Sequence, residues 1–192
     1  MARRGRLRDS SGLSFGGPAM VLGVISHDTR GGSDRLLVGL ADLLIARGLR
    51  LAGCVQYNLD CEDNGKCRMQ ARVLPDGARR LISQDLGALA SGCRLDPAAL
   101  EDVVGQVSAS LETGPDLLIV NKFGKQEAEG GGFRAVIGAA LMQEIPVLTS
   151  VHPRNRDAFD AFAGDLAQPV PADPDALLRW ALAVCEASAR VA

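Results

Sequence analysis

From Met20 onward, short apolar runs alternate with longer stretches in which apolar residues recur every three or four positions. The run from Met20 to Ile25 is continuous and bounded by polar residues, which predicts a strand covered on both faces. Leu36, Leu37, Leu40, Leu43 and Leu44 then recur at helical spacing after Ser33-Asp34, a suitable N-cap, and Gly48 supplies a stop. Arg50 to Gln56 reads as a second strand. A polar excursion from Tyr57 to Lys66 leads into Arg68 to Leu74, a third strand in a hairpin. Asp96-Pro97 opens a helix running to about Glu112, with Asp as cap and Pro at the first helical position, and Gly114-Pro115 ends it. Asp116 to Val120 is another buried strand, Gly132 to Glu144 a helix, Ile145 to Val151 a strand, and Pro174 to about Arg190 a helix carrying Trp180.

Strands alternating with helices pair in parallel through right-handed crossovers, which predicts an α/β fold of three layers with a mostly parallel, doubly wound sheet. Residues 19–192 read as one such domain, without a second domain or an internal repeat. Residues 1–18 differ in composition: Arg3, Arg4, Arg6 and Arg8 precede a Ser/Gly stretch ending Gly16-Gly17-Pro18, which cannot bury apolar area and reads as a disordered tail.

Composition narrows the function classes. With 21 Lys+Arg against 23 Asp+Glu, a formal charge of −2 does not call for a polyanionic partner. Aromatics are 4% of the chain, too few to build the stacking platforms of single-stranded nucleic-acid binders, so no specific nucleic acid is expected. The chain has no apolar run of the ~18 residues that span a bilayer and no signal-peptide pattern, so a cytoplasmic location is the expectation. Five scattered cysteines, an odd number, argue against a disulfide framework.

In a doubly wound sheet, ligands bind beyond the carboxyl ends of the strands. The first strand runs into Ser26-His27-Asp28-Thr29-Arg30-Gly31-Gly32-Ser33-Asp34-Arg35, a Gly-containing loop that opens a helix. Loop N–H groups and the helix dipole converge there on one point, the geometry of an anion cradle. The position is that of a P-loop, although Gly32-Ser33-Asp34 stands where Gly-Lys-Ser/Thr would be, so the lysine is missing. An ordinary tight strand-to-helix turn is the simpler reading of the loop alone. Later strand ends add His152 and Arg154, and the string Asn121-Lys122-Phe123-Gly124-Lys125-Gln126-Glu127. A parallel sheet would bring His27, Arg30, Asn121, Lys122, Lys125, His152 and Arg154 to one cationic edge, a local focus for an anion.

Neither histidine has metal-ligand spacing. Cys54 lies in an apolar run and reads as core. Cys61 and Cys67 sit in a polar loop as a speculative soft-metal or redox site, and Cys93 precedes a helix without a positioned base.

The strings NKFGKQEAEGGGFR (Asn121 to Arg134), SGCRLDPAAL (Ser91 to Leu100) and IPVLTSV (Ile145 to Val151) resemble an uncharacterised bacterial family whose genes lie beside molybdate ABC transporters. A more distant likeness is to P-loop nucleoside-triphosphatases of the thermophilic type, in which the corresponding strand ends Asp-Glu-x-Gly-Lys-x-Glu. Here Asn121-Lys122 stands in place of the acidic pair that would hold magnesium and order the attacking water. The resemblance implies a P-loop-like scaffold with degenerate Walker motifs that binds a compact oxyanion (molybdate, phosphate or sulfate) or a nucleotide without the usual magnesium arrangement. It also implies partners among molybdate transporters or molybdenum-cofactor proteins. Gly31, Gly32 and Ser33 would offer N–H donors, and Arg30, Arg35, Lys122 and Lys125 charge. Two alternatives stay open: a divergent nucleoside-triphosphatase holding magnesium through Asp28, Asp34 or Glu127, and a non-catalytic protein-interaction module.

Overall fold

The computed structural model describes residues 20–26, 31–59, 67–84 and 94–189. The expected N-terminal tail, His27, Asp28, Arg30, Cys61 and Cys93 lie outside them. The chain runs β1 (Leu22–Ser26), α1 (Gly32–Ala46), β2 (Leu51–Leu59), β3 (Arg68–Val73), β4 (Arg79–Leu81), α2 (Pro97–Ser110) and β5 (Leu117–Phe123). It continues through α3 (Lys125–Ala128), α4 (Arg134–Met142), β6 (Val147–Val151), α5 (Arg156–Ala163), β7 (Ala167–Pro169) and α6 (Pro174–Ala189). The seven strands form one sheet in the order β4-β3-β2-β5-β6-β1-β7. Every pair from β2 through β5, β6 and β1 to β7 is parallel, and the β2–β3–β4 end is antiparallel. The expected mostly parallel, three-layer α/β architecture is therefore the one observed.

Strand alternation divides the interior in two. On one face, Ile25, Val55, Ile119 and Leu148 pack under Leu37, Leu40 and Leu44 of α1 and under Leu177 and Trp180 of α6. On the other, Val24, Cys54, Val120 and Val147 meet Val103 and Val107 of α2, Ile137 and Ala140 of α4, and Phe159 of α5. Gly23 has to be glycine, because a Cβ there would run into the ring of Trp180. The Asp96 side chain accepts hydrogen bonds from the N–H groups of Ala98 and Ala99, so the expected cap of α2 is present.

Two strands run past their expected ends. β2 continues through Tyr57, Asn58 and Leu59, because the register with β3 (Tyr57↔Gln70, Asn58↔Met69, Leu59↔Arg68) gives this polar sequence backbone partners. β5 continues to Phe123, with a register irregularity between Val120 and Phe123. There the Phe123 ring sits edge-on to Phe159, centroids 5.2 Å apart, which pins the end of β5 to α5. β4, α3, α5 and β7 are elements that the periodicity did not announce. α4 begins at Arg134 rather than Gly132, whose φ of 54° is left-handed.

Candidate functional site

The carboxyl ends of β1, β6 and β5 are level: Ser26 pairs with Val151, and Val151 with Phe123. From β1 the chain crosses through α1 to β2, while from β6 it crosses through α5 to β7 on the other side. These helices pack on opposite faces, α1 with Leu37 and Leu40 on one and α5 with Phe159 on the other. The strand order therefore reverses at the ends of β1 and β6, the position at which such sheets form a crevice.

α1 starts at this crevice. Its N-cap, Gly31, is left-handed (φ 73°, ψ 2°), a conformation that suits glycine, and it has no side chain to cap the first turn. Its first turn buries Ser33 and Asp34, the latter only 3% exposed. Asp34 Oδ2 accepts a short hydrogen bond from Asn58 Nδ2 on the extended part of β2, and Asn58 Oδ1 in turn accepts one of 2.8 Å from Gln56 Nε2. Asp34 Oδ1 is buried without a hydrogen-bond partner among the described residues. A cleft of ≈ 590 Å³ opens beside it, between α1 (Gly31, Asp34, Arg35, Gly39) and β2 (Gln56, Tyr57).

Asn121 lies on β5, and alternation from Leu117 and Ile119 puts it on the face that α1 covers. It is 4% exposed, and its Oδ1 faces Ser150 Oγ on β6 at 3.4 Å. Its Nδ2 has no partner among the described residues. Two buried polar atoms thus lack a hydrogen-bond partner among the described residues: Asp34 Oδ1, an acceptor in the first turn of α1, and Asn121 Nδ2, a donor near the end of β5.

Several expected residues stand elsewhere. Lys125, expected as a charge at the anion, is exposed on α3 and ion-paired with Glu129 at 3.6 Å. Glu127, an alternative magnesium ligand, is 3% exposed with both oxygens engaged: Oε2 accepts from the Gly124 N–H at 2.8 Å and Oε1 from the Phe133 N–H at 3.0 Å. It ties α3 to the start of α4, so a metal would have to share its oxygens with these two backbone groups. Lys122 and His152 are half-buried at the ends of β5 and β6, with His152 Nδ1 accepting from the Arg154 N–H at 3.1 Å. Arg35 is exposed at the cleft rim. Cys67, expected as a thiol for a soft metal, is disulfide-bonded. Burial pushes the Cys54 thiol up to about 12, which fits the expected core role. No group of three or more His, Cys, Asp or Glu suited to a metal occurs among the described residues. Asn58, Gln56 and Ser150 were not anticipated; the spacing of Gln56 and Asn58, two apart, is a strand-face signal only once β2 is known to extend that far.

Fold and site together define an α/β protein with a mostly parallel sheet and a crevice at the first strand-to-helix junction. Over 88% of its length the chain superposes on 96% of the solution structure of a human cancer-related nucleoside triphosphatase, at a TM-score of 0.56 and 9% identity, a likeness of fold. The chain belongs to the family described as "Protein of unknown function (DUF2478)", whose model matches residues 22–180. It is also 36% identical over 149 residues to the molybdenum import ATP-binding protein ModC 2 of Bradyrhizobium diazoefficiens. That match covers 77% of this chain but only 16% of the relative. No helix among the described residues is long and apolar enough to cross a membrane.

Proposed function

We propose that this chain binds a nucleoside polyphosphate, together with a counter-ion, at the N-terminus of α1, as an accessory module of molybdate uptake or molybdenum-cofactor handling. The observation that carries the reading is two buried groups without a hydrogen-bond partner among the described residues, Asn121 Nδ2 as donor and Asp34 Oδ1 as acceptor, both at the carboxyl edge of the sheet. Asp34 lies in the first turn of a helix whose N-cap, Gly31, has no side chain to cap it. Phosphate oxygens satisfy the amide and the helix N–H groups. A bare oxyanion such as molybdate, phosphate or sulfate gives Asp34 nothing. Seated about 4 Å from that carboxylate, it would be repelled by about 4 kcal/mol for each unit of its charge at an effective dielectric of ~20, roughly a thousandfold in Kd per unit. A nucleotide that brings its own cation removes the conflict.

The strand end favours holding over hydrolysis. Neither the Asn121 amide nor the Lys122 ammonium can accept a proton from an attacking water, and Glu127 is committed to backbone N–H groups. The molybdate connection is supported by the similarity to part of a molybdenum import ATP-binding protein. Its partner would then be a molybdate transporter or a molybdenum-cofactor protein.

Isothermal calorimetry with ATP and GTP, with and without magnesium, against molybdate, sulfate and phosphate tests the proposal. The expected result is nucleotide binding strengthened by magnesium, with phosphate release near background. Molybdate binding tighter than either nucleotide, without metal, would restore the bare-oxyanion reading, and rapid magnesium-dependent turnover would make the chain a hydrolase.

A further inference from the structure

Asp34 differs from an ordinary first-turn carboxylate in how it is held. The hydrogen-bond chain Gln56 Nε2 to Asn58 Oδ1, then Asn58 Nδ2 to Asp34 Oδ2, has one direction only, because each amide uses its NH₂ toward the next group. It fixes one carboxylate oxygen against β2 and leaves Oδ1 buried and without a hydrogen-bond partner among the described residues, on a residue that lines the cleft.

We infer that Asp34, oriented by Asn58 and Gln56, is the cation ligand of this site, and that a divalent cation is retained there only with the nucleotide's phosphates. The inference rests on the nucleotide reading above. The carboxylate comes from the first turn of α1 and is braced from β2, whereas the end of β5 offers an amide and an ammonium. Magnesium sheds its water reluctantly and is held by one or two carboxylates plus substrate phosphates rather than by an all-protein cage. One buried carboxylate oxygen, with no group of three or more His, Cys, Asp or Glu suited to a metal among the described residues, meets that need only when phosphates supply further oxygens. Asn58 and Gln56 are positioning residues: they act by preventing the carboxylate from turning.

The experiment uses manganese as the probe, followed through the electron paramagnetic resonance signal of the free ion, with the full chain and ATP or GTP. Protein alone should remove little signal, and protein with nucleotide should remove more than nucleotide alone. Asp34→Asn should return the ternary mixture to the nucleotide-only level while metal-free nucleotide binding, measured by calorimetry, is kept or improved. Asn58→Leu should weaken manganese retention about 10–100-fold, the range for groups that orient a metal ligand, with partial rescue in Asn58→Gln. Gln56→Met, a milder change, should act in the same direction if Asn58→Leu does not fold. Manganese retention equal to wild type in Asp34→Asn overturns the inference and leaves the nucleotide reading standing. Absence of nucleotide binding with or without metal overturns both.

Discussion

Glu127 distinguishes a structural carboxylate from a metal ligand, and its replacement gives opposite results in the two cases. Its two oxygens accept the Gly124 and Phe133 N–H groups at 2.8 and 3.0 Å, with the residue 3% exposed. A hydrogen bond to a charged group is worth about 1.5–3 kcal/mol, and an abandoned buried N–H costs a similar amount. Glu127→Ala, which removes both bonds, should therefore destabilise by at least about 3 kcal/mol. For a chain of this length each kcal/mol moves Tm by about 2–4 °C, so the expected fall is about 6–12 °C. Glu127→Gln keeps one acceptor but turns its NH₂ toward the other N–H, and should lose roughly half as much. Urea unfolding followed by circular dichroism, in buffer containing EDTA, measures this with metal excluded. A loss below about 1 kcal/mol under those conditions, reappearing only with magnesium and nucleotide, would refute the capping argument and return Glu127 to the metal. Gly132→Ala is an independent check, since a Cβ there would collide with Glu127 Oε1 at a left-handed φ of 54°.

Three further outcomes are expected. Gly53→Ala should yield no soluble folded protein on expression, because φ is 113° and its Cβ would collide with the Ile119 carbonyl oxygen of the neighbouring β5. Burial pushes the thiols of Cys54 and Cys185 up to about 12, so iodoacetamide at pH 8 should leave both unmodified in the native protein and alkylate both in urea, as read by mass spectrometry. Burial would raise the Asp116 carboxyl, but side-chain and backbone hydrogen bonds from Arg50 prevail and hold it below the ordinary carboxylate value. Its contribution is thus complete above about pH 4 and fades as pH falls through the lowered value. The stability advantage of wild type over Asp116→Asn should be constant from neutral pH down to that point and shrink below it in acid unfolding curves.

The strands that could be read from the sequence are those whose residues are apolar on both faces. Val147 to Val151 is buried throughout and gave a clear run, and so did Leu117 to Val120. The last residues of β2 were hidden because Gln56 and Asn58 are polar, and their strand state depends on pairing with β3, a contact that local pattern does not contain. α5 was missed for a related reason: of its eight residues only Phe159 and Ala163 are buried, too few to mark a period. The start of α1 was legible because Gly31 and the helix onset are local features. The surroundings of Lys125 were not, because nearness in sequence to the end of β5 does not fix direction, and on the short helix α3 it is exposed and ion-paired with Glu129. Asp34 was visible as a carboxylate near the loop, but its burial and its brace from β2 required the fold.

The place of a site and its chemistry have separate origins here. The place follows from topology: the level ends of β1 and β6, with crossovers leaving to opposite faces, open a crevice whatever side chains line it. The chemistry follows from those side chains, and they are not the uniformly cationic set that a strand-end reading suggests. Lys125 is ion-paired with Glu129, while a buried carboxylate, Asp34, and a buried amide, Asn121, lie at the carboxyl edge of the sheet. Such a lining discriminates by charge distribution rather than by net charge. A compact anion satisfies the amide and clashes with the carboxylate, a free cation does the reverse, and only a ligand that carries both signs within a few ångströms of each other satisfies the two together. A metal–polyphosphate complex has that distribution, which is why the nucleotide reading follows from the pair and would not follow from either residue alone.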